Sequence, residues 1–168
     1  VPRFGDPPVS RYLDLLASLR TRFDGGLHRE VASGAARVAF IALHREVWAC
    51  LQTLARKQAG RERFDDAAAR CIEDGSLFER TPRHFDRQAW DRLKSLPSLC
   101  EIDRSLEYRP VSEVLIDTGS SSFGRNLFRS DAGFSCVDDR GRQLLLALGA
   151  LEFQLDATPD TGGKETDC

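Results

Sequence analysis

Three side chains of this 168-residue chain are of types that catalyse reactions and stand in recognisable patterns. Asp117 follows the apolar run Val114-Leu115-Ile116 and precedes Thr118-Gly119. Arg37 and His44 lie seven residues apart in an apolar stretch, so on a helix they project at nearly the same angle. Each pattern also has a structural interpretation. Asp117 fits an Asx turn at the end of a strand, while Arg37 and His44 fit two polar positions of a buried helix that bond carbonyls or a carboxylate from the C-terminal half.

The string Val114 to Ser121 resembles the active-site strand and turn of aspartic proteases, an apolar run followed by Asp-Thr-Gly. The resemblance covers about eight residues. It implies a retropepsin-like half-site in which Asp117 shares a proton with a second carboxylate, supplied by another copy of the chain. Only 49 residues follow Gly119, which is short for the flap and remaining strands of such a half, so the turn stays as the alternative.

The R-x6-H spacing of Arg37 and His44 resembles the motif of HEPN-type ribonucleases, in which an arginine and a histidine face the partner subunit across a helical dimer. The resemblance implies RNA cleavage by these two residues. That family is a helical bundle, whereas the last 60 residues or so of this chain have the pattern of a sheet. The alternative is that both side chains stabilise the fold.

Other kinds of site have little support in the sequence. The three histidines, His28, His44 and His84, lack the spacing that places two ligands on one helix face, so we expect no metal. We expect no cofactor either, because no glycine-rich loop has the lysine that a phosphate site needs. Basic residues between Arg56 and Arg87 could bind nucleic acid, but acidic residues share the same segments, which is more typical of a solvated surface.

The most regular pattern is a central helix predicted over Ala35–Ala55. Two apolar stripes run along it, and each needs its own neighbours. We predict that Trp48 is a core residue and that a partner helix docks on one stripe if the sheet does not cover it. The candidate binding residues are Phe40, Leu43, Val47 and Trp48, and the full docking stripe is Ala36, Phe40, Leu43, Val47, Cys50 and Leu54.

The fold class predicted by these patterns is α+β, with an N-terminal bundle of about four helices packed on a C-terminal antiparallel β-meander. Helices are predicted from Val9, over Ala35–Ala55, over Arg61–Ile72 and from Thr81-Pro82 to Leu96. The strand candidates are Glu107–Arg109, Ser112–Asp117, Asn126–Arg129, Gly133–Val137, Gln143–Leu148 and Leu151–Leu155, with a hairpin turn at Asp138–Arg142. We expect one domain over 1–155, divided into a helical part (8–97) and a β part (99–155), and a disordered tail over 156–168.

Composition limits the compartment and the partners. The chain is 41% hydrophobic and 30% charged, with no apolar run near the ~20 residues that span a bilayer, so we expect a soluble protein that does not enter a membrane. Five isolated cysteines favour a reducing intracellular compartment, cytoplasm or nucleus.

Methionine is absent and the first residue is Val1, which suggests a piece of a longer protein. Residues 1–98 carry a net charge of +4 and residues 99–168 carry −6, a division that could orient a partner.

These patterns favour a non-catalytic function. We expect a protein-interaction or assembly module whose partner, another protein or a second copy of the chain, docks on the central helix. The alternatives are the aspartic-protease-like half-site at Asp117-Thr118-Gly119 and a nucleic-acid-binding or HEPN-like helical module that uses Arg37 and His44.

Overall fold

The computed structural model describes residues 8–61, 66–81, 83–102, 104–117, 133–135 and 139–153. Five helical segments come first and strands follow, with a sixth helix before the last strand, so the predicted α+β class is confirmed. The helices are α1 (Val9–Arg22), α2 (His28–Glu30), α3 (Gly34–Ala59), α4 (Asp66–Glu73), α5 (Arg87–Ser95) and α6 (Asp139–Ala147). The strands are β1 (Ser98–Ile102), β2 (Ser105–Arg109), β3 (Val114–Asp117), β4 (Gly133–Ser135) and β5 (Leu151–Phe153).

The central helix extends further than its predicted core, from Gly34 to Ala59. It begins at the Ser33-Gly34 pair because Gly34 adopts a φ of 75°, a conformation that a helix interior does not allow. It ends at Gly60, whose φ of 73° lets its N–H bond the Lys57 carbonyl at 3.1 Å. The helix is therefore longer than the predicted range Ala35–Ala55 by one residue at its start and four at its end.

The start of α5 differs from its prediction. Thr81-Pro82 was the expected N-cap, but α5 begins at Arg87 and its cap is Asp86, whose carboxylate accepts the Ala89 N–H at 2.7 Å. A side-chain oxygen that reaches the third N–H of a helix satisfies a donor that has no partner within the helix. The prediction took Thr81-Pro82 as the start of the helix, but the side chain of Asp86 caps it.

The sheet is mixed, so the predicted antiparallel meander is wrong: β1 was not among the strand candidates, and β2 and β3, which were, are not neighbours. The strand order is β2-β1-β4-β3-β5. β1 pairs antiparallel with β2 and with β4, whereas β3 pairs in parallel with both β4 and β5. β3 lies between β4 and β5, and α6 connects β4 to β5 across it, so these two strands run in the same direction.

The error in the sheet comes from α6. The segment Gln143–Leu148 was predicted as a strand and Asp138–Arg142 as a hairpin turn, but Asp139–Ala147 is a helix that packs against α3 and α4. Leucine and alanine favour a helix, and the segment has no β-branched residue. The buried positions Leu144, Leu145 and Leu148 follow helical spacing, and Gly149, at a φ of 117°, ends the helix.

Two groups of buried side chains hold these elements together. We call the larger one the main core; it joins α1, α3, α4, α5 and α6 to the sheet, and its largest members include Leu13, Trp48, Leu51, Phe85, Trp90, Leu93 and Leu144. The smaller one, the satellite cluster, consists of Leu19, Val31, Phe40 and Leu99, with Phe23, Leu27, Ile41, Leu106 and Tyr108 packed around them. The main core contains residues from both predicted parts of the domain. The domain boundaries stay a prediction, and Asn126–Arg129 and the tail 156–168 lie outside the described residues.

Candidate functional site

The inner face of α3 has a four-three pattern that shares three residues with the predicted stripe, Phe40, Val47 and Leu54, and differs from it at the other three positions. The buried residues recur as Phe40, His44, Val47, Leu51, Leu54 and Gln58. His44 and Gln58 are therefore inside the protein, whereas Leu43, which was predicted in this stripe, is exposed. A polar side chain in a buried stripe needs hydrogen-bond partners, and those partners identify the contacts that the helix makes.

His44 bonds through both ring nitrogens. Nδ1 lies 2.8 Å from the Phe40 carbonyl oxygen, which can only accept, so Nδ1 carries the proton. Nε2 of the neutral ring is then the acceptor for the Tyr108 hydroxyl, also at 2.8 Å. Burial lowers the pKa of His44 from its usual 6.5, because the charged ring would lose its hydration. The bond to the Phe40 carbonyl opposes this shift and raises the pKa by a smaller amount.

Aromatic rings surround the His44–Tyr108 pair. The Phe40 ring lies 4.6 Å from the His44 ring, and the Phe23 ring meets the Tyr108 ring edge-on at 5.2 Å. Phe23 also stacks on Phe40 at 5.8 Å. The guanidinium of Arg20 lies over the Tyr108 ring, 5.2 Å from its centroid. Edge-on and offset ring pairs add to the free energy gained by burial, so this cluster fixes α1, α3 and β2 against one another.

Arg37 links the first turn of α3 to β1. Its guanidinium forms an ion pair with the Glu101 carboxylate and also donates to the Ala32 carbonyl at 3.3 Å. In the C-terminal half of the chain, Arg37 bonds the Glu101 carboxylate, which is one of the acceptors that the structural interpretation predicted, and His44 bonds the Tyr108 hydroxyl. The carbonyls that the two side chains bond belong to the helical half. Cleavage of RNA by Arg37 and His44 stays a prediction, and His44, at 1% exposure, is closed to a substrate in this conformation.

The second polar residue of the inner face, Gln58, uses its whole amide. Its oxygen accepts the N–H groups of His84 and Phe85 at 2.9 and 2.7 Å, and its nitrogen donates to the Leu77 and Phe85 carbonyls at 2.8 and 2.9 Å. These bonds hold the connection between α4 and α5 against the end of α3. An amide offers two donors and two acceptor lone pairs, so Gln58 has no capacity left for a ligand.

The predicted binding residues separate into two groups. Phe40, Val47 and Trp48 are buried, and the prediction that Trp48 is a core residue is confirmed. Leu43 is 38% exposed on the outer side of the helix. A partner could therefore touch Leu43 without any rearrangement, whereas the other three side chains already pack within the chain. Whether they take part in binding stays a prediction.

Sequence reasoning missed Tyr108 and Gln58. Tyr108 was placed correctly in a strand, Glu107–Arg109, which is part of β2. A signal was present, since a tyrosine in a half-buried strand needs a partner for its hydroxyl and His44 was one of few candidates. Gln58 was taken as part of the polar end of the helix, and no local pattern distinguishes it from an exposed glutamine.

Asp117 is the last residue of β3, and its backbone is in register with Phe153 of β5. Thr118 and Gly119 lie outside the described residues. The choice between an Asx turn and a protease-like half-site at Asp117 therefore stays a prediction.

Neither a metal-binding group among the described residues nor a similar known protein points to an activity. Among the described residues, no group of three or more histidine, cysteine, aspartate or glutamate side chains is placed to hold a metal ion. In the same part of the chain, no helix is both long enough and apolar enough to cross a membrane. Comparison with protein-family models, curated proteins and solved structures finds no match for the chain.

Proposed function

We propose that this protein is a non-catalytic association module and that the outer face of the first half of α3 binds a second copy of the chain. The observation that supports the proposal is the composition of this face. Every exposed residue between the helix start and Leu43 is glycine or apolar: Gly34, Ala35, Ala36, Val38, Ala39, Ala42 and Leu43. We call this set the outer face of α3.

The other long helices have polar outer faces. On α1, Leu15 is the single large apolar residue among the exposed positions, and on α5 every exposed residue is charged or polar. The outer face of α3 differs in that it has two large apolar residues, Val38, which is 67% exposed, and Leu43, which is 38% exposed. Contiguous apolar surface of this kind is typical of an interaction site, whereas isolated apolar residues are common on any protein.

The same face becomes covered further along the helix. From Val47 to Ala59, only Lys57 is exposed, because α1, α4 and α6 of the same chain pack around α3. Ala35, Ala39, Ala42 and Glu46 continue the four-three spacing of a helix-packing stripe, and Ala49, three residues on, is buried. The stripe is thus occupied by the chain itself from Ala49 onward and is open before it. A second helix would complete it.

Charge complementarity favours a second copy as the partner. The first turn of α3 has neither an acidic residue nor a side-chain cap, so its N–H groups and the positive end of the helix dipole favour an anion. Glu46 lies at the other end of the stripe, about 16 Å away at 1.5 Å per residue. In an antiparallel pair, Ala39 faces Ala42 of the other copy, and each Glu46 lies beside the N-terminus of the other α3. The face is therefore complementary to itself.

Molar mass in solution, measured as a function of concentration, tests this proposal. We expect a weak dimer, because two short helical faces bury less surface than a standard stable interface. Leu43→Glu should shift the equilibrium to monomer without unfolding the chain. Leu15→Glu is a matched control, since Leu15 is also a helical leucine and is 36% exposed, against 38% for Leu43. A wild-type chain that remains monomeric at millimolar concentration, or equal effects of the two variants, would contradict the proposal.

A charge-exchange experiment tests the antiparallel arrangement separately. Glu46→Lys places a cation beside the N-terminus of the partner's α3 and should weaken association. Adding Ala35→Glu should restore it, because the new carboxylate faces the new lysine across the pair. In a parallel pair the two positions are about 16 Å apart, and the second substitution should restore nothing. Loss of association in Glu46→Lys that Ala35→Glu does not repair would reject the antiparallel geometry.

A further inference from the structure

The connection between α1 and α3 is built like a hinged strap. We use this name for residues 27–33, which lie between two glycines with positive φ, Gly26 at 133° and Gly34 at 75°. Neither glycine has a neighbouring atom within 4 Å of the position that a Cβ would take. Rotation at these two points therefore meets no packed side chain.

Few contacts hold the strap on the protein. Val31 is its single buried residue and Leu27 is half-buried, whereas His28, Arg29, Glu30, Ala32 and Ser33 are exposed. Val31 and Leu27 pack into the satellite cluster, beside Phe40 and Leu99. Segments with little buried apolar surface open at a lower free energy than the core does. The strap is thus the part of this region most easily released.

We propose that the strap is an acid-sensitive latch, in which a proton taken up by His44 from solvent loosens the satellite cluster and releases residues 27–33. The neutral ring donates from Nδ1 to the Phe40 carbonyl and accepts the Tyr108 hydroxyl at Nε2. A proton on Nε2 removes that acceptor, so the bond must reverse its direction, with the Tyr108 oxygen accepting from Nε2, and the hydroxyl proton must find another acceptor. The new charge then lies between the Phe40 and Tyr108 rings, which are 4.6 and 5.8 Å from the His44 ring.

The charged groups around the cluster do not compensate this charge. From α1, Arg20 lies over Tyr108 and is paired with Asp24; from α3, Arg37 is paired with Glu101 of β1. The strap contributes His28, which bonds the Phe23 carbonyl, and β2 contributes Tyr108 itself. In the described hydrogen bonds of His44, both partners are uncharged. Burial accordingly lowers the pKa of His44, which is the direction that a latch held by the neutral ring requires.

The latch differs from association through the outer face of α3, because Phe40 and His44 are buried on the inner side of the helix; Gly34 alone belongs both to the outer face and to the hinges of the strap. Opening uncovers Phe40 and the neighbouring apolar surface at mildly acidic pH. Because one proton is taken up, the population of the open form should rise by up to about tenfold for each pH unit below the unperturbed value of 6.5. The rise ends where the folded protein itself becomes protonated.

Amide hydrogen exchange, corrected for intrinsic rates, tests the latch between about pH 8 and about pH 5. The reporter is the Val31 N–H, which donates to the Leu27 carbonyl at 3.0 Å. Its protection should fall as pH decreases, and low concentrations of urea should hardly change it, because local opening exposes little surface. The Leu148 N–H, in the main core, should instead depend strongly on urea.

Two variants separate His44 from the other histidine of this region. His44→Gln should make the protection of Val31 independent of pH, whereas His28→Gln should leave the wild-type response unchanged. If His44→Gln does not fold, the wild-type protein still decides the question, because the loss of Val31 protection must coincide with protonation of the His44 ring observed by NMR. The proposal is overturned by a pH-independent Val31, by a response retained in His44→Gln, or by a Val31 amide that follows Leu148 in urea.

Discussion

The two halves of α3 show two ways of including a polar residue in a buried face. In the main core, Gln58 makes four hydrogen bonds, and all of its donors and acceptors are used inside the protein. In the satellite cluster, His44 makes two bonds and lies among rings that are partly exposed. The helix is continuous, but its second half packs in the buried main core, whereas its first half packs in the satellite cluster, whose Phe23 and Tyr108 are partly exposed.

Because of this difference, we expect Gln58 to contribute to the stability of the fold and His44 to make the fold sensitive to pH. A saturated amide has a single arrangement of partners and cannot change its charge, so Gln58 fixes the connection between α4 and α5. A histidine changes its charge near neutral pH, so His44 makes the satellite cluster dependent on the solvent. The main core should therefore determine the global free energy of unfolding, and the satellite cluster should determine how the protein responds to its surroundings.

The largest effect should follow from a cavity in the main core. Trp48→Ala removes a side chain that is fully buried, and we expect a loss of about 3–5 kcal/mol in the free energy of unfolding. A domain of this size has roughly 5–15 kcal/mol in total, so the variant should be marginally stable. Urea denaturation followed by circular dichroism measures this loss. A midpoint close to that of the wild type would mean that the main core does not depend on Trp48.

The next largest effect should come from Gln58. Gln58→Leu leaves the N–H groups of His84 and Phe85 without their acceptor, and each unpaired buried group costs roughly 1–3 kcal/mol. We expect a total loss of about 3 kcal/mol. The matched control is Gln52→Leu, because the Gln52 oxygen accepts one N–H, that of Leu144, at 2.8 Å. Gln52→Leu should cost about 1 kcal/mol in the free energy of unfolding. Equal losses in the two variants would show that the number of hydrogen bonds an amide makes does not determine its contribution to stability.

The helical half was predictable because its signals are local. The glycines that end α3 and α4, Gly60 and Gly75, mark the boundaries directly, since both adopt a positive φ. The apolar spacing of the central helix also predicted that Trp48 is a core residue, and it placed Phe40 and Val47 in one stripe, both of which are buried. It did not predict that His44 is inside and Leu43 outside, because a stripe shifted by one residue has nearly as many apolar members.

The sheet was less predictable because its pairing depends on contacts between distant segments. The Leu-Leu-Leu-Ala-Leu run is apolar enough for a strand or a buried helix, and periodicity alone does not separate the two. In the misassigned segment, the predicted hairpin turn and the strand Gln143–Leu148 are replaced by the helix α6, which connects β4 to β5. The candidate site was hidden for a related reason, since the His44–Tyr108 bond joins residues 64 positions apart.

Acidification should reduce stability by an amount that depends on His44. The pKa of His44 is lowered in the folded protein by burial, so below its unfolded value of 6.5 the unfolded chain holds a proton that the folded chain does not. The contribution of His44 is complete above pH 6.5 and is lost as pH falls toward the folded pKa. Urea midpoints between about pH 8 and about pH 5 should show this decline in the wild type and a weaker one in His44→Gln. Parallel curves would assign the decline to other groups.

The smallest effects should come from two ion pairs, one in each region. Arg37–Glu101 joins α3 to β1 beside the satellite cluster, and Arg92–Asp14 joins α5 to α1 over the main core at 2.7 Å. Exposed pairs contribute about 0.2–1 kcal/mol, because water and salt screen the charges. The Arg37 side chain is 16% exposed and that of Arg92 is 41% exposed, so we expect the first pair near the upper end of this range and the second near the lower end.

Double-mutant cycles measure the two couplings without the other effects of each substitution. The variants are Arg37→Ala with Glu101→Ala, and Arg92→Ala with Asp14→Ala, each singly and combined. Added salt should reduce the Arg92–Asp14 coupling more, because the more exposed pair is screened more completely. A larger Arg92–Asp14 coupling would show that the strength of these two ion pairs does not follow the exposure of their arginines.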